Sequence, residues 1–365
     1  MIGSFELNEN LIVMEEKYIF LLGVRCSTYN QSAYITDAMN GFVMQQTSFP
    51  YVCAIIDDAS TDGEQEVIRK YLVDYFEMTD NSVAYQKEMD YGSVLFARHK
   101  TNRNCYFAVT FLKENHYSQK KTKLPYLKEW LDNVKYVALC EGDDYWTDPL
   151  KLQKQVSFLE KHSDYSLCCH RFKMYYENTD TWADDFVGEV FAKHPGAIGL
   201  DVTNAQNFRT RFTWTLTLCY RKAVADAIVW HPYKLGKRDF TFHYHLLNAG
   251  KGYCFAEYMG VYRRNDGGIW ASMSLVERAR FRLDGYDDFY SYHKDDPVVL
   301  ECYREWVDRF YRETLLPPYS RHKLTRYGIK NLFFYFKHSC KVGTPILAMK
   351  RIVRCFGVLV GIIKA

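Results

Sequence analysis

Lys135-Tyr136-Val137-Ala138-Leu139-Cys140-Glu141-Gly142-Asp143-Asp144-Tyr145-Trp146 is the stretch that decides the fold. Lys135 to Cys140 is a short apolar run of the kind that forms a buried parallel strand. Three carboxylates follow within four residues. Carboxylates packed so tightly repel one another, and a divalent cation with a taste for oxygen ligands, Mg²⁺ or Mn²⁺, is an efficient counter-charge. The alternative is a solvated acidic turn in which Asp144 acts as a cap. The apolar strand before the cluster and Trp146 beside it tilt the reading toward a site. Asp148 then caps, and Pro149 starts, a helix carrying Leu152, Val156 and Leu159.

Upstream the same alternation recurs. Tyr18 to Val24 reads as a buried strand, and a helix opening at Ser32 carries Tyr34, Ile35, Ala38, Met39, Phe42 and Val43 on one face. Tyr51 to Ile56 is a second buried strand and ends in Asp57-Asp58-Ala59-Ser60-Thr61-Asp62-Gly63, a cluster of caps and turn formers. Val67 to Phe76 has helical spacing, and Val94 to Ala97 reads as a third strand. Strands alternating with helices predict a parallel α/β sheet. Ligands bind such sheets beyond the carboxyl ends of the strands, where both acidic clusters fall. Downstream, Tyr165 to Tyr176 and Tyr253 to Tyr262 read as strands, Arg221 to Trp230 and Asp239 to Asn248 as helices, and Ser274 to Leu316 as mostly helical.

Each candidate residue has a plain structural alternative. Asp57 and Asp58 are placed to accept from a nucleobase N–H or a ribose hydroxyl, but helix capping explains them as well. Asp239 follows Lys237 and Arg238 at a helix start; it suits a general base for an alcohol, or simply a charge favoured by the helix dipole. Arg263 and Arg264 precede Asn265-Asp266-Gly267-Gly268-Ile269-Trp270 and suit a diphosphate, or a basic turn. Neither a phosphate-binding G-x-x-x-x-G-K-[ST], nor G-x-G-x-x-G, nor G-x-S-x-G occurs, so those chemistries are unsupported.

The 365 residues include 47 Lys and Arg against 44 Asp and Glu, and ten of the basic residues lie in 321–365, which has no acid. The body is therefore acidic and the tail basic, which points to an anionic partner for the tail alone. From Pro345 the tail reads as a helix with Ile346, Met349, Ile352, Val353, Phe356, Leu359, Val360 and Ile363 along one face and Lys350, Arg351 and Arg354 mostly off it. Such a helix suits lying in a membrane interface, or packing on the acidic body of the chain or a second subunit. No apolar run reaches transmembrane length. The segment from Met1 to Lys17 has four Glu and no basic start, unlike a signal peptide. The 11 Cys include no C-x-x-C, so reduced, buried thiols and a cytoplasmic location are expected, with peripheral attachment to the inner face of the cell membrane.

Five stretches in order resemble the motifs of family-2 glycosyltransferases of the GT-A fold. Ser27-Thr28-Tyr29-Asn30 resembles the first-strand P-T-Y-N, and 53–63 the V-D-D-G-S-T-D-G-T segment. Glu141-Gly142-Asp143 resembles the metal-binding D-x-D. Trp146-Thr147-Asp148-Pro149-Leu150-Lys151-Leu152 resembles a stretch of bacterial polysaccharide members, and Tyr262 to Trp270 a late Y-R-x-H-x-G-G-x-W. Ser27 for Pro, Glu141 for Asp and Asn265 for His are departures.

The resemblance implies an α/β fold of GT-A type: a Rossmann-like, mostly parallel central sheet flanked by helices, with a C-terminal helical appendage. It implies a catalytic domain over 1–270, with a nucleotide-sugar half at 18–160 and an acceptor half at 161–270, then a helical extension at 271–320 and the basic tail at 321–365. Thr28, Tyr29, Asn30, Asp57, Asp58, Glu141, Asp143 and Arg263 would bind the nucleotide sugar. Asp143 and Glu141 would hold Mn²⁺ or Mg²⁺, and Asp239 would be the catalytic base. Asp144, Trp146 and Trp270 would lie on the acceptor side. The activity implied is inverting transfer from a nucleotide-diphosphate donor, UDP-linked by expectation, to a glycan or lipid-linked glycan hydroxyl in surface polysaccharide synthesis. No nucleic-acid partner is expected. The segment His116 to Trp130 reads as an insertion, an acceptor-side loop. Two rivals remain: a sugar-1-phosphate nucleotidyltransferase, which would want a Gly-rich loop where Arg25-Cys26-Ser27-Thr28-Tyr29-Asn30 stands, and a non-enzymatic carbohydrate-binding or membrane scaffold module.

Overall fold

The computed structural model describes residues 19–235, 238–265, 273–315 and 326–359. The described residues form two compact units, one built from 19–228 with 243–264 and the other from the described residues between 229 and 242 and between 265 and 359.

The first unit is organised by a 12-stranded sheet. Its strands are β1 (Leu22–Thr28), β2 (Tyr51–Asp57), β3 (Ala84–Met89), β4 (Gly92–Arg98), β5 (Cys105–Leu112), β6 (Tyr136–Leu139), β7 (Tyr145–Trp146), β8 (Tyr165–Tyr176), β9 (Thr181–Asp184), β10 (Gly199–Val202), β11 (Cys219–Arg221) and β12 (Lys251–Arg264). At its centre β6, β1, β2 and β5 run parallel in that order. Beyond β5 the hairpin β4–β3 is antiparallel; beyond β6, β11 is antiparallel to β6 and β8, and β12 runs parallel to β8.

All seven residues of β2 are buried, as an interior parallel strand covered on both faces requires. The main helices of this unit are α1 (Ile35–Val43), α2 (Glu64–Tyr75) and α3 (Lys151–Lys161). Helix α1 buries Ile35, Ala38, Met39 and Phe42, the stripe expected from the spacing. Helix α3 starts at Lys151, two residues later than expected, with Leu150 at its N-cap and no side-chain cap; the Asp148 carboxylate accepts from Leu150 N–H at 2.8 Å and pairs with Lys154. Strands β3, β5, β7, β9, β10 and β11 were not anticipated, and the helix expected over Arg221 to Trp230 is confined to Lys222–Asp226. The α/β architecture is as expected, with antiparallel strands extending the parallel centre at both ends.

Helix α4 (Asp239–Ala249) runs from one unit into the other. The second unit is helical, with α5 (Leu275–Tyr292), α6 (Pro297–Phe310), α7 (Arg326–Lys341) and α8 (Pro345–Leu359). Leu283, Phe289, Val299, Tyr303, Val307 and Phe310 form its interior. The segment from Val229 joins it through Tyr233 Oη to His293 Nε2 (2.9 Å) and Leu235 N–H to Asp288 (2.9 Å). No helix among the described residues is long and apolar enough to cross a membrane. All 11 cysteines are free thiols, and all but Cys340 are buried.

Candidate active site at the carboxyl ends of the parallel strands

Parallel pairing places Thr28 opposite Asp57, so the loops after β1 and β2 leave the sheet side by side. They are stitched together. Asn30 N–H donates to Ser60 Oγ at 2.9 Å, Thr61 N–H donates to Asn30 Oδ1 at 2.7 Å, and Ser32 N–H donates to Asp62 at 2.9 Å. Asn30 and Ala59 both hold positive φ, at 53° and 61°. Asn tolerates that region; Ala does so at a cost of about 1 kcal/mol, the kind of strain that collects at functional loops.

Beneath these loops lies Glu64, the first residue of α2, which the sequence reading did not single out. It is fully buried. Its carboxylate accepts from Gln31 N–H (2.9 Å) and Ser60 Oγ (2.8 Å), and the Thr28 hydroxyl also bonds to it. Burial raises its pKa, against the lowering effect of the Thr28 bond. One buried carboxylate therefore fixes both loops.

Asp57 is also fully buried. One oxygen accepts from Ser60 N–H at 3.2 Å and from the Gln65 side chain. The other, Oδ2, has no partner. Burial raises its pKa. A buried carboxylate oxygen left without a donor is costly unless a ligand completes it. Gln65 in turn lines a cleft of about 360 Å³ together with Ala59, Ser60, Arg69, Ser93 and Phe111.

The acidic loop lies on the other side of β1. Cys140 N–H donates to Arg25 O and Gly142 N–H to Ser27 O, both at 3.2 Å, so 140–142 prolongs the β1–β6 pairing. Gly142 presses on Thr28 and Gln31: a β-carbon there would come within 2.5 Å of Gln31 Oε1 and closer still to Thr28 Oγ1. Glu141 and Asp143, on either side, are half-buried. Asp144 is buried and its pKa is pushed well above the usual carboxylate range, by burial first and the Asp143 charge second. Buried Cys26 likewise has its thiol pushed up by burial and then by the charge of Glu141.

Strand β12 brings Arg263 to this loop. Its N–H donates to Asp144 at 3.0 Å, and its guanidinium pairs with Asp37 of α1 at 2.6 Å. The guanidinium carbon lies 4.7 Å from the Tyr34 ring centre and 5.2 Å from that of Tyr145. Its Nη1 is buried without a partner. Tyr34 donates its hydroxyl to Glu177 at 2.6 Å, which pushes its pKa up to about 12.

Thr28, Asn30, Asp57, Glu141, Asp143, Asp144 and Arg263 thus lie on adjoining strand ends and the loops that follow them, and Tyr29 is exposed beside Thr28. Three other candidates stand elsewhere. Asp58 is buried and engaged on both oxygens: it accepts from His116 N–H (2.7 Å), Tyr117 N–H (3.0 Å) and Lys123 Nζ (3.1 Å). The segment read as an insertion on the acceptor side is therefore docked against the end of β2. Trp146, expected on the acceptor side, is a core residue. It packs on Phe42 with ring centres 5.0 Å apart, donates Nε1–H to Leu216 O at 2.8 Å, and carries buried Lys151 Nζ 3.8 Å above its ring. Its inward pleat leaves no face for an acceptor. Asp239 is exposed at the start of α4, in the second unit. Trp270 lies outside the described residues.

Among the described residues no three His, Cys, Asp or Glu side chains form a metal cage. Glu141 and Asp143 nonetheless fit a hard cation that brings ligands of its own. They are oxygen donors on a short loop held by Gly142, in a field negative enough to raise neighbouring pKa values. Mg²⁺ in particular is commonly held by one or two carboxylates, with phosphate oxygens and water completing its shell.

No family model matches the chain. The structure is similar to that of residues 1–349 of S. aureus TarS in complex with UDP-GlcNAc, with a TM-score of 0.55 and 16% identity over 93% of this chain and 90% of that one. The same fragment with UDP gives a TM-score of 0.53 over 93% and 89% of the two chains. These likenesses, with the α/β architecture above, give the fold as GT-A type. In sequence, the chain is 30% identical to the uncharacterized protein Rv1520 of Mycobacterium tuberculosis over 294 residues, which cover 77% of this chain and 72% of that protein; Mb1547 of Mycobacterium bovis matches equally. At that identity and coverage, this chain belongs to the same family as mycobacterial Rv1520 and Mb1547.

Proposed function

We propose that this protein is a glycosyltransferase that takes a sugar from a nucleoside diphosphate, UDP in the first instance, and passes it to a hydroxyl acceptor with inversion. The observation that carries the reading is the buried, unpartnered Oδ2 of Asp57 at the end of β2, with β1 alone between that strand and β6, which leads into the Glu141–Asp143 loop. An acceptor for a nucleobase or ribose thus lies near carboxylates suited to a diphosphate-bound cation. The five sequence motifs support it, and TarS, similar in fold, is seen with UDP-GlcNAc.

In this reading Asp57 receives an N–H or O–H of the nucleoside, and Glu64 holds the loops of Thr28, Asn30 and Ser60 around it. Arg263 directs Nη1 toward the diphosphate while Asp37 and Asp144 fix its side chain and backbone. A divalent cation at Asp143 and Glu141 supplies charge neutralisation for the leaving diphosphate. Asp239 is the proposed base, taking the proton of the acceptor hydroxyl as its oxygen bonds to the anomeric carbon and the bond from that carbon to the nucleoside diphosphate breaks on the opposite face. The acceptor proposed is a glycan or lipid-linked glycan at the inner face of a membrane.

The test is thermal unfolding with nucleoside diphosphates, with and without Mn²⁺, followed by donor hydrolysis across nucleotide sugars. UDP with Mn²⁺ raises the Tm, and at least one UDP-sugar is hydrolysed. If no nucleoside diphosphate moves the Tm with metal present, the reading fails. Asp239→Asn retains the UDP-induced shift and loses transfer by about 10²-fold or more; transfer within a few-fold of native removes Asp239 as base.

A further inference from the structure

The exposed surface of α7 and α8 carries two kinds of side chain. On α8, Ala348 and Cys355 are buried and Arg351 and Ile352 half-buried, a repeat of three or four residues that marks the inward face. Arg351 is drawn inward too: it pairs with Asp308, donates to Tyr335 Oη at 3.1 Å, and lies over the Tyr311 ring. On the outward face Ile346, Met349, Val353 and Phe356 form a stripe at helical spacing, 73%, 51%, 62% and 42% exposed. Lys350 and Arg354, both exposed, flank it on one side. Helix α7 adds exposed Ile329 and Phe333 with exposed Lys330 and Lys337.

Four large apolar side chains in a row on a solvent-facing helix are a liability unless something covers them. What covers them is indicated by charge. The whole segment 321–365 has ten Lys and Arg and no acidic residue. A protein partner matched to this face would need a surface both apolar and acidic. A bilayer containing anionic lipid offers both together, with acyl chains beneath a negative headgroup plane.

We propose that α8, flanked by α7, docks this protein on an anionic membrane surface, with Ile346, Met349, Val353 and Phe356 inserted into the headgroup–acyl boundary and Lys350 and Arg354 in the headgroup layer. The separation of roles on α8 is specific. Arg351 serves the fold of its own unit, whereas Lys350 and Arg354 leave their charges outward. The docking does not depend on the transferase reading, but it would hold the chain where a lipid-linked acceptor lies.

The test is sedimentation of the full-length protein with vesicles of phosphatidylglycerol and phosphatidylcholine, against vesicles of phosphatidylcholine alone. Two double variants are compared, Val353→Asp with Phe356→Asp, and Lys350→Glu with Arg354→Glu. All four positions are exposed, so both variants keep the native Tm. The native chain sediments with anionic vesicles and not with neutral ones, and added salt weakens the binding. Each double variant loses about tenfold or more in partition. Absence of binding to anionic vesicles overturns the proposal, as does equal binding to both vesicle types or native-like binding by both variants. If the native chain instead self-associates and Val353→Asp with Phe356→Asp makes it monomeric, a second copy covers the face and the proposal fails. None of these outcomes touches the UDP-induced shift in Tm, so the docking and the transferase reading stand or fall separately.

Discussion

The backbone N–H of Arg263 lies 3.0 Å from a carboxylate oxygen of Asp144, and through this bond the end of β12 is tied to the acidic loop after β6. The two residues are 119 positions apart in the chain. The bond leaves the Arg263 side chain to be aimed separately, which Asp37 does at 2.6 Å. A guanidinium fixed by one carboxylate and stacked near Tyr34 and Tyr145 loses little freedom on meeting an anion, which is what makes such an anchor effective.

The first prediction concerns that anchor. Arg263→Met keeps the backbone bond to Asp144 and removes the buried Nη1. Affinity for UDP then falls by about tenfold to a hundredfold, the worth of one charge-assisted bond. Affinity for uridine, which has no phosphate, is unchanged. Titration calorimetry with the two ligands separates these; an equal loss for both would show that Arg263 acts on the fold and not on phosphate.

Asp57 yields a prediction of opposite sign for stability and binding. Burial raises its pKa, so its protonated form is favoured by folding, and stability falls as pH rises through the raised value. Asp57→Asn removes the charge at constant shape: the amide oxygen keeps the Ser60 and Gln65 bonds, and the amide nitrogen replaces the unpartnered oxygen. The variant is therefore more stable at neutral pH, by about 1 kcal/mol or 2–4 °C in Tm. The same variant loses the UDP-induced shift. A lower Tm, or an intact UDP shift, would contradict the role given to Oδ2.

These residues differ in how far they could be read in advance. β2 was legible because every one of its residues is buried, which leaves an unbroken apolar run. β3 was not, because four of its six residues face solvent and the strand forms only by pairing with β4. Glu64 was hidden by its position: an acid at the first turn of a helix is ordinary dipole chemistry, and only the pairing of β1 with β2 puts it under Thr28. Asp58 looked equivalent to Asp57 until the chain returned with His116, Tyr117 and Lys123 to occupy it. Trp146, next to an acidic cluster, was expected on the acceptor side, but it pairs with Gly260 on β12 and packs on Phe42 in the core. Motif positions set by local strand ends were legible; those set by distant returns of the chain were not.

Gly142 supplies a steric prediction. A β-carbon at this position meets the Thr28 and Gln31 side chains well inside contact distance. The Thr28 hydroxyl bonds to Glu64 and also donates to Gln31 Oε1 at 2.8 Å, so moving either side chain breaks a bond. Gly142→Ala pushes the loop off β1, costs about 1–3 kcal/mol, and separates Asp143 from the end of β2. Both Tm and Mn²⁺-dependent UDP affinity fall together. Gly196→Ala, at a φ of 81° where an added β-carbon meets nothing within 4 Å, lowers Tm through backbone strain alone and leaves UDP affinity intact, so the comparison isolates crowding at the site from a general Gly effect.

Lys151 gives the pH prediction. It is fully buried, its amine donates to Gln155 Oε1 at 2.7 Å over the face of Trp146, and burial lowers its pKa from 10.5 to about 8. A lowered amine pKa means that the unfolded chain binds the proton more tightly. Stability therefore rises with pH between about 8 and 10.5, and the penalty is fully present below that window. A shift of this size corresponds to about 3 kcal/mol. Lys151→Met keeps the apolar stem on Trp146 and removes the titrating group, but it strands Gln155 Oε1 at a cost of about 1–3 kcal/mol. The two terms nearly cancel at neutral pH, so the informative quantity is their pH dependence. Because only the native chain carries the penalty, its Tm gains on that of Lys151→Met as pH climbs from about 7.5 to about 10. Differential scanning calorimetry across that range reads the gap, and a gap independent of pH would mean that Lys151 stays charged in the core, held there by Trp146.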